Sequence, residues 1–93
     1  RQAMSIEPLM RQRLAALEPI SLEVLDESEK HRGHAGWKPS GNTHWSVTIV
    51  AEAFRGKSTV ARHRMVYQAL GELMDNPIHA LTIAARAPDE RGA

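Results

Sequence analysis

The chain has 93 residues and a mass of 10.3 kDa, the size of one small domain with a single core. Its hydrophobic fraction of 42% and its formal charge of +1 are typical of a globular protein and argue against wholesale disorder. Cysteine is absent, which excludes disulfides, thiolate catalysis and any metal cluster held by the chain's own sulfur. We find no apolar run of membrane-spanning length and no secretory signal, so we expect no membrane association and a cytoplasmic location.

The first predicted element is a helix over residues 6–17, which the residue before Pro19 ends because that residue avoids the helical region. Its apolar residues recur at helical spacing: Ile6, Leu9, Met10, Leu14 and Leu17. Residues 1–3 precede Met4, and we expect them to be an addition to the natural chain.

Two strands follow, separated by a long loop. Residues 21–26 form the first predicted strand, and residues 44–51 form the clearest one. Trp45, Val47 and Ile49 share one face of that second strand. The intervening loop is rich in glycine, and its length in so small a domain favours a functional role.

A second helix is predicted to begin after Ser58, whose hydroxyl can cap it, and to end near Pro77. Its predicted apolar stripe consists of Val60, His63, Tyr67, Leu70 and Met74, widened by Val66 and Leu73. Residues 78–86 form a third strand with two largely apolar faces, which predicts a position in the interior of the sheet. Residues 89–93 are expected to be a polar tail.

The order of these elements predicts an α+β domain, helix-strand-strand-helix-strand, with a three-stranded sheet and helices packed on one face.

Histidine is the residue type that makes a metal site worth testing, because imidazole binds iron, zinc, copper and nickel. The chain has five histidines. His79 opens the third strand, where the residues alone favour a hydrogen-bonded strand-edge histidine over a ligand. His31 and His34 lie in the long loop, and two residues separate them, so both rings could approach one ion. A mononuclear zinc site built from these three side chains would need no partner.

The two other histidines favour structural roles. His44 is predicted to be structural or to lie at the surface of the sheet, and His63 is predicted to be buried against a backbone carbonyl.

A basic cluster is the second signal. Arg55, Lys57, Arg62 and Arg64 place four positive charges within ten residues, and no acid lies among them. These side chains could form a solvated face, contact DNA phosphates or bind an acidic patch of a protein partner. We expect no enzyme: the ending Gly56-Lys57-Ser58 imitates a phosphate-binding loop but lacks its upstream glycine.

Six motifs in one order make the sequence resemble the BolA family from about Leu9 to Pro88, and we assign the domain to residues 4–88. The motifs are Asp26-Glu27-Ser28, His31-Arg32-Gly33-His34-Ala35-Gly36, Thr43-His44-Trp45, Ala53-Phe54-Arg55-Gly56-Lys57-Ser58, Arg62-His63-Arg64-Met65-Val66-Tyr67 and Ile78-His79-Ala80-Leu81. The resemblance implies a fold similar to class II KH domains. It also implies partnership with monothiol glutaredoxins, with which BolA-like proteins share a [2Fe-2S] cluster. Some members also act as DNA-binding transcriptional regulators of stress response and cell morphology.

In the family, the histidine that matches His79 is a cluster ligand, and a histidine or cysteine of the long loop is the second ligand. Either His31 or His34 fills that second role. Because the chain lacks cysteine, the glutaredoxin and glutathione must supply the thiolates. We therefore expect an isolated chain without a cofactor, a monomer or weak homodimer, and a loop over 29–41 that orders only in the complex.

One departure from KH domains matters. Their Gly-x-x-Gly clamp on nucleic acid has one glycine here, Gly56, so an RNA clamp of that kind is not predicted.

Overall fold

The computed structural model describes residues 6–27, 44–75 and 78–90. Its helices and strands are α1 (Glu7–Leu14), β1 (Ser21–Asp26), β2 (His44–Val50), α2 (Thr59–Leu70) and β3 (Ala80–Arg86). This order confirms the predicted α+β class, helix-strand-strand-helix-strand. No helix in the described part of the chain is long and apolar enough to cross a membrane.

The sheet has the order β1-β2-β3, so β2 is the central strand. β1 runs antiparallel to it, with Ser21 opposite Val50, and β3 runs parallel to it, with His44 opposite Ala80. The predicted interior position of β3 is therefore wrong, because β3 lies at an edge.

The small size of the side chains on one face of β3 explains this error. Ala80, Thr82 and Ala84 alternate with Leu81 and Ile83 along the strand. Ala80 and Thr82 are exposed, whereas Leu81 and Ile83 are half-buried and pack against the core. Alanine and threonine expose little apolar surface, so this face needs no second layer to cover it.

The core lies between the helices and one face of the sheet. Trp45, Val47 and Ile49 are at most 1% exposed, whereas the alternating residues Ser46 and Thr48 on the other face are half-exposed. The helices contribute Met10, Leu14, Val66 and Leu70, each completely buried. This pattern confirms the period-2 alternation predicted for β2.

The predicted helix ends have local causes. After α1 and one 3₁₀ turn, Glu18 adopts a left-handed conformation (φ 54°, ψ 55°) just before Pro19, which ends the helix. At the start of α2, the Ser58 Oγ accepts a hydrogen bond from the Ala61 backbone N–H at 3.1 Å. The predicted cap is confirmed.

The predicted apolar stripe of α2 is displaced around the helix. Val66, Leu70 and Leu73 are buried, whereas Val60 and Tyr67 are 59% and 41% exposed. Two neighbouring stripes of this helix carry apolar residues at spacings of three and four, and periodicity alone does not say which one faces the sheet.

His63 belongs to the predicted stripe, which the observed helix turns partly away from the core. It is half-buried. The prediction of a buried His63 is wrong for the same reason.

The end of α2 is tied to α1 through Arg13. Its guanidinium donates to both carboxylate oxygens of Glu72, at 3.1 and 2.8 Å, and to the Leu70 carbonyl at 3.0 Å. Hydrogen bonding from Arg13 lowers the pKa of Glu72 to about 2.

Candidate functional site

Two imidazole rings meet where β2 and β3 begin. His44 is the first residue of β2, and His79 directly precedes β3. Their ring centroids are 5.6 Å apart and their planes are inclined by 59°. Because β2 and β3 are parallel, both strands begin at the same edge of the sheet, and this pairing brings the two rings together. We call this pair the histidine edge.

The two rings differ in their access to solvent. His44 is 7% exposed, so the predicted surface position of this side chain is wrong, whereas His79 is an exposed residue. The backbone of His79 is nevertheless fixed on both sides: Ile78 is 3% exposed, its N–H donates to the Leu73 carbonyl at 3.0 Å, and Ala80 begins β3. An accessible imidazole therefore sits on a rigid support.

The loop histidines His31 and His34 lie outside the described residues. Within residues 6–27, 44–75 and 78–90, no three His, Asp or Glu side chains come together in a group able to hold a metal ion. A ligand set that joins His79 to the loop, with iron or with zinc, stays a prediction. So does the ordering of residues 29–41.

The proximity of His44 to His79 is a feature that sequence reasoning missed. It depends on the parallel pairing of two strands that α2 separates along the chain. The signal in the sequence was that a histidine stands at the start of each strand, but this is informative only once the pairing is known.

The turn over residues 55–58 lies at the start of α2, and together with Arg62 and Arg64 on that helix we call it the basic turn. The buried side chain of Phe54 anchors it to the core, and the Lys57 N–H donates to the Phe54 carbonyl at 3.0 Å. Gly56 has φ 78°, a left-handed value that favours glycine. This turn directs the chain into α2 and places Lys57 in solvent.

Two of the four predicted basic residues are paired with acids. Arg55 forms an ion pair with Glu52, three residues earlier. Arg62 donates to both oxygens of Glu90, at 2.7 and 2.9 Å, and its side chain is only 14% exposed. The stretch from Arg55 to Arg64 contains no acid, but Glu52 before it and Glu90 after it form ion pairs with two of its arginines.

These pairs are ionised at neutral pH. Hydrogen bonding from Arg62 lowers the pKa of Glu90 to about 2, and the backbone N–H of Ala87 adds to the effect. Hydrogen bonding to Arg55 lowers the pKa of Glu52, and the same contact raises the pKa of Arg55. Both acids therefore cancel positive charge in the folded protein.

Lys57 and Arg64 are different. Both are exposed, and neither is ion-paired within the described part of the chain. The positive surface available to a ligand consists first of these two side chains.

A cavity of about 230 Å³ lies between the start of α2 and the edge strand β3. It is lined by Thr59, Arg62, His63, Ile83, Ala84 and Ala85. The lining includes a hydroxyl, a guanidinium and an imidazole beside three apolar residues. Because Arg62 belongs to it, the cavity adjoins the basic turn rather than the histidine edge.

Comparison with known proteins gives a consistent picture. The family model described as BolA-like protein matches residues 14–90. The protein named BOLA1, chloroplastic, of Arabidopsis thaliana is 44% identical over 84 residues, which cover 87% of this chain and 52% of that protein. The DNA-binding transcriptional regulator BolA of Escherichia coli K12 is 39% identical over 69 residues, covering 74% of this chain and 62% of that protein.

A solved structure described as the BolA domain of SufE1 from Arabidopsis thaliana has a TM-score of 0.83 and 40% identity to this chain. That match covers 96% of this chain and 99% of the solved one. The chain thus matches a whole BolA domain, whereas it spans between about half and two thirds of the two curated relatives.

Proposed function

The chain belongs to the BolA family, and we propose that it is an adaptor that binds a monothiol glutaredoxin and shares a [2Fe-2S] cluster with it, in iron-sulfur cluster trafficking or iron regulation. The observation that carries the proposal is the exposed His79 on a rigid support in a chain without cysteine. A cytoplasmic location is part of the proposal, although the Arabidopsis relative BOLA1 is named as chloroplastic.

The donor set fits half of a cluster site. Imidazole is a suitable iron ligand, and histidine ligation of one iron opposite sulfur ligation of the other occurs in Rieske-type centres. The chain offers imidazoles but no thiolate, so it cannot complete a [2Fe-2S] site alone. The cysteine of a glutaredoxin and glutathione would supply the missing sulfur.

The exposure of the two rings suggests separate roles. His79 can reach a cluster held on another protein because its side chain is exposed, whereas the buried ring of His44 cannot do so without movement. We therefore assign His79 as a ligand and His44 as a positioning neighbour that limits the orientations of the His79 ring. His31 or His34 would be the second ligand of this chain.

Reconstitution tests the proposal. The chain is mixed with a monothiol glutaredoxin, iron, sulfide and glutathione, and visible absorption is recorded together with the mass of the complex. We expect a heterocomplex whose spectrum differs from that of the glutaredoxin loaded alone, because histidine replaces sulfur at one iron. A spectrum and a mass equal to those of the glutaredoxin alone would refute it.

The basic turn supports a second candidate function, contact with DNA phosphates. Lys57 and Arg64 are exposed cations at the start of α2, and the E. coli relative is named as a DNA-binding regulator. Two such charges predict weak binding that falls with salt. Titration of duplex DNA at several salt concentrations tests it, and an affinity independent of salt would contradict it.

A further inference from the structure

The chain continues beyond β3 into a turn that packs against the basic residues. We call residues 87–90 the C-terminal latch. Arg62 holds Glu90 through two hydrogen bonds, and the Arg55 Nη2 donates to the Pro88 carbonyl at 3.1 Å. Arg55 and Arg62, which were predicted to bind DNA or a protein partner, thus bind a later segment of the same chain. The polar tail predicted to begin at residue 89 is, for its first two residues, part of this turn.

The latch has a defined internal structure. The Ala87 N–H donates to the Glu90 carboxylate at 2.9 Å, and the Glu90 N–H donates to the Ala87 carbonyl at 3.2 Å. Asp89 between them has φ 73°, a left-handed value that is uncommon outside glycine and that aspartate tolerates better than most residues. Some backbone strain therefore accompanies the contact between Glu90 and Arg62.

Glu90 and two backbone carbonyls engage most of the Arg62 guanidinium. The Nε donates to the Lys57 carbonyl at 2.9 Å, and the Nη1 donates to the Ala85 carbonyl at 3.1 Å. The two bonds to Glu90 bring the number of engaged N–H groups to four of the five that arginine has. Parallel bonds from the guanidinium edge are also how arginine binds a phosphate. The Glu90 carboxylate thus occupies the place that a phosphate would take.

We propose that the C-terminal latch is a built-in competitor that occupies the Arg55–Arg62 side of the basic turn until a nucleic-acid phosphate displaces it. With the latch closed, the surface offers Lys57 and Arg64. With the latch open, Arg62 joins them, whereas Arg55 keeps its ion pair with Glu52. The proposal rests on the second candidate function above, and it adds that the positive surface is switchable.

Removal of the latch carboxylate is the first test. Glu90→Ala is compared with the matched control Glu72→Ala, because Glu72 is also held by an arginine through two bonds and its loss changes the net charge equally. The probe is a DNA duplex of about 20 base pairs, titrated by fluorescence anisotropy between about 50 and about 200 mM salt.

Glu90→Ala frees Arg62, and one more phosphate contact steepens the dependence of log affinity on log salt by about 0.9. We therefore expect Glu90→Ala to bind more tightly than the wild type at low salt. Its affinity should fall about 3.5-fold more than that of the wild type across this range. Glu72→Ala should keep the wild-type slope. Equal slopes in Glu90→Ala and Glu72→Ala would overturn the proposal.

A backbone variant tests the latch independently of Glu90. Asp89→Pro forces φ to about −65° and cannot form the turn, whereas Asp89→Asn removes the same charge and tolerates the left-handed conformation. The proline variant should bind DNA like Glu90→Ala, and the asparagine variant should keep a slope close to that of the wild type. Identical behaviour of the two variants would contradict a role for the latch geometry.

A direct measurement separates the latch from the DNA function. The Arg62 Nε–H resonance is followed while inorganic phosphate is added to the wild type and to Glu90→Ala. A shift in Glu90→Ala alone supports an anion site that the latch fills, and absence of a shift in both refutes it. A shift in Glu90→Ala combined with no DNA binding by any variant would refute nucleic acid as the source of the phosphate while the competition stands.

Discussion

The histidine edge and the basic turn differ in how completely the chain itself satisfies their functional side chains. His79 projects into solvent beside His44, and no thiolate of this chain can complete a cluster there. At the basic turn, Glu52 and Glu90 already neutralise Arg55 and Arg62. The number of histidines or arginines in a sequence therefore does not give their availability, which depends on the groups that the fold places opposite them.

The difference also predicts how each region responds to a partner. The histidine edge gains metal-ligating groups when another protein binds, whereas Arg62 of the basic turn must first lose the carboxylate that accepts its hydrogen bonds. Partner binding at the histidine edge should therefore depend on a single exposed side chain, His79. Ligand binding at the basic turn should depend on the replacement of an internal carboxylate by an external anion. The following variants test this distinction.

The largest effect is expected at the histidine edge. His79→Ala should abolish the cluster-bridged complex with a glutaredoxin or change its spectrum, because it removes the accessible ligand, while the exposed position leaves the fold intact. Visible absorption and electron paramagnetic resonance of the reconstituted mixture provide the measurement.

His63→Ala is the matched control for that variant, since it removes a half-buried imidazole that lines the cavity beside the basic turn. It should leave the spectrum as it is. The double replacement of His31 and His34 should act like His79→Ala, and the two single variants would identify the loop ligand. An unchanged spectrum in His79→Ala would remove it from the ligand set.

The support beneath His79 should show the next largest effect. Ile78 is 3% exposed, and Ile78→Ala should lower the free energy of unfolding by about 2–5 kcal/mol, as large-to-small changes in a core do. The control Val60→Ala, at a 59% exposed position, should change it by about 0.5 kcal/mol or less. Urea denaturation measures both. Equal losses in the two variants would mean that the histidine edge does not rest on the core.

The sequence predicted the elements well because their signals are local. The alternation of Trp45, Val47 and Ile49, the serine cap of α2 and the proline after α1 each act over a few residues. The edge position of β3 and the meeting of His44 with His79 depend on strand pairing, which no local pattern encodes.

The charges of the basic turn illustrate the same limit at longer range. Glu90 lies 28 residues beyond Arg62 in the chain, so a window of ten residues around the arginines does not contain it. The sequence predicts that Glu90 belongs to a polar tail, so its two hydrogen bonds with Arg62 were not expected. What remains predictable from the sequence is the pair Lys57 and Arg64, whose exposure follows from the turn and from the polar side of α2.

A smaller effect is expected from these two exposed cations. Lys57→Ala and Arg64→Ala should each weaken DNA binding and lower the slope of log affinity against log salt by about 0.9, if each contacts one phosphate. Arg11→Ala on α1 is the control, because Arg11 is paired with Glu7 at 2.9 Å. The same anisotropy titration provides the data. A slope that falls equally in the Arg11 variant would show that total charge, rather than this surface, governs binding.

The smallest effect concerns stability in acid. We expect it to be similar for the two bidentate pairs, Arg62 with Glu90 and Arg13 with Glu72. Hydrogen bonds from Arg62 and Arg13 hold the pKa values of Glu90 and Glu72 at about 2, below the ordinary value of 4.5. Each folded-state pKa is depressed, so unfolding takes up protons as the pH falls below about 4.5. The stabilisation by each pair is therefore complete above that pH and is lost as the pH falls towards 2. Both carboxylates are partly exposed, so solvent screening keeps the effect modest.

Thermal unfolding followed from pH 6 to pH 2 should show a shallower acid decline in Glu90→Gln and in Glu72→Gln than in the wild type. An unchanged decline in Glu90→Gln would mean that the latch is already open in the free protein.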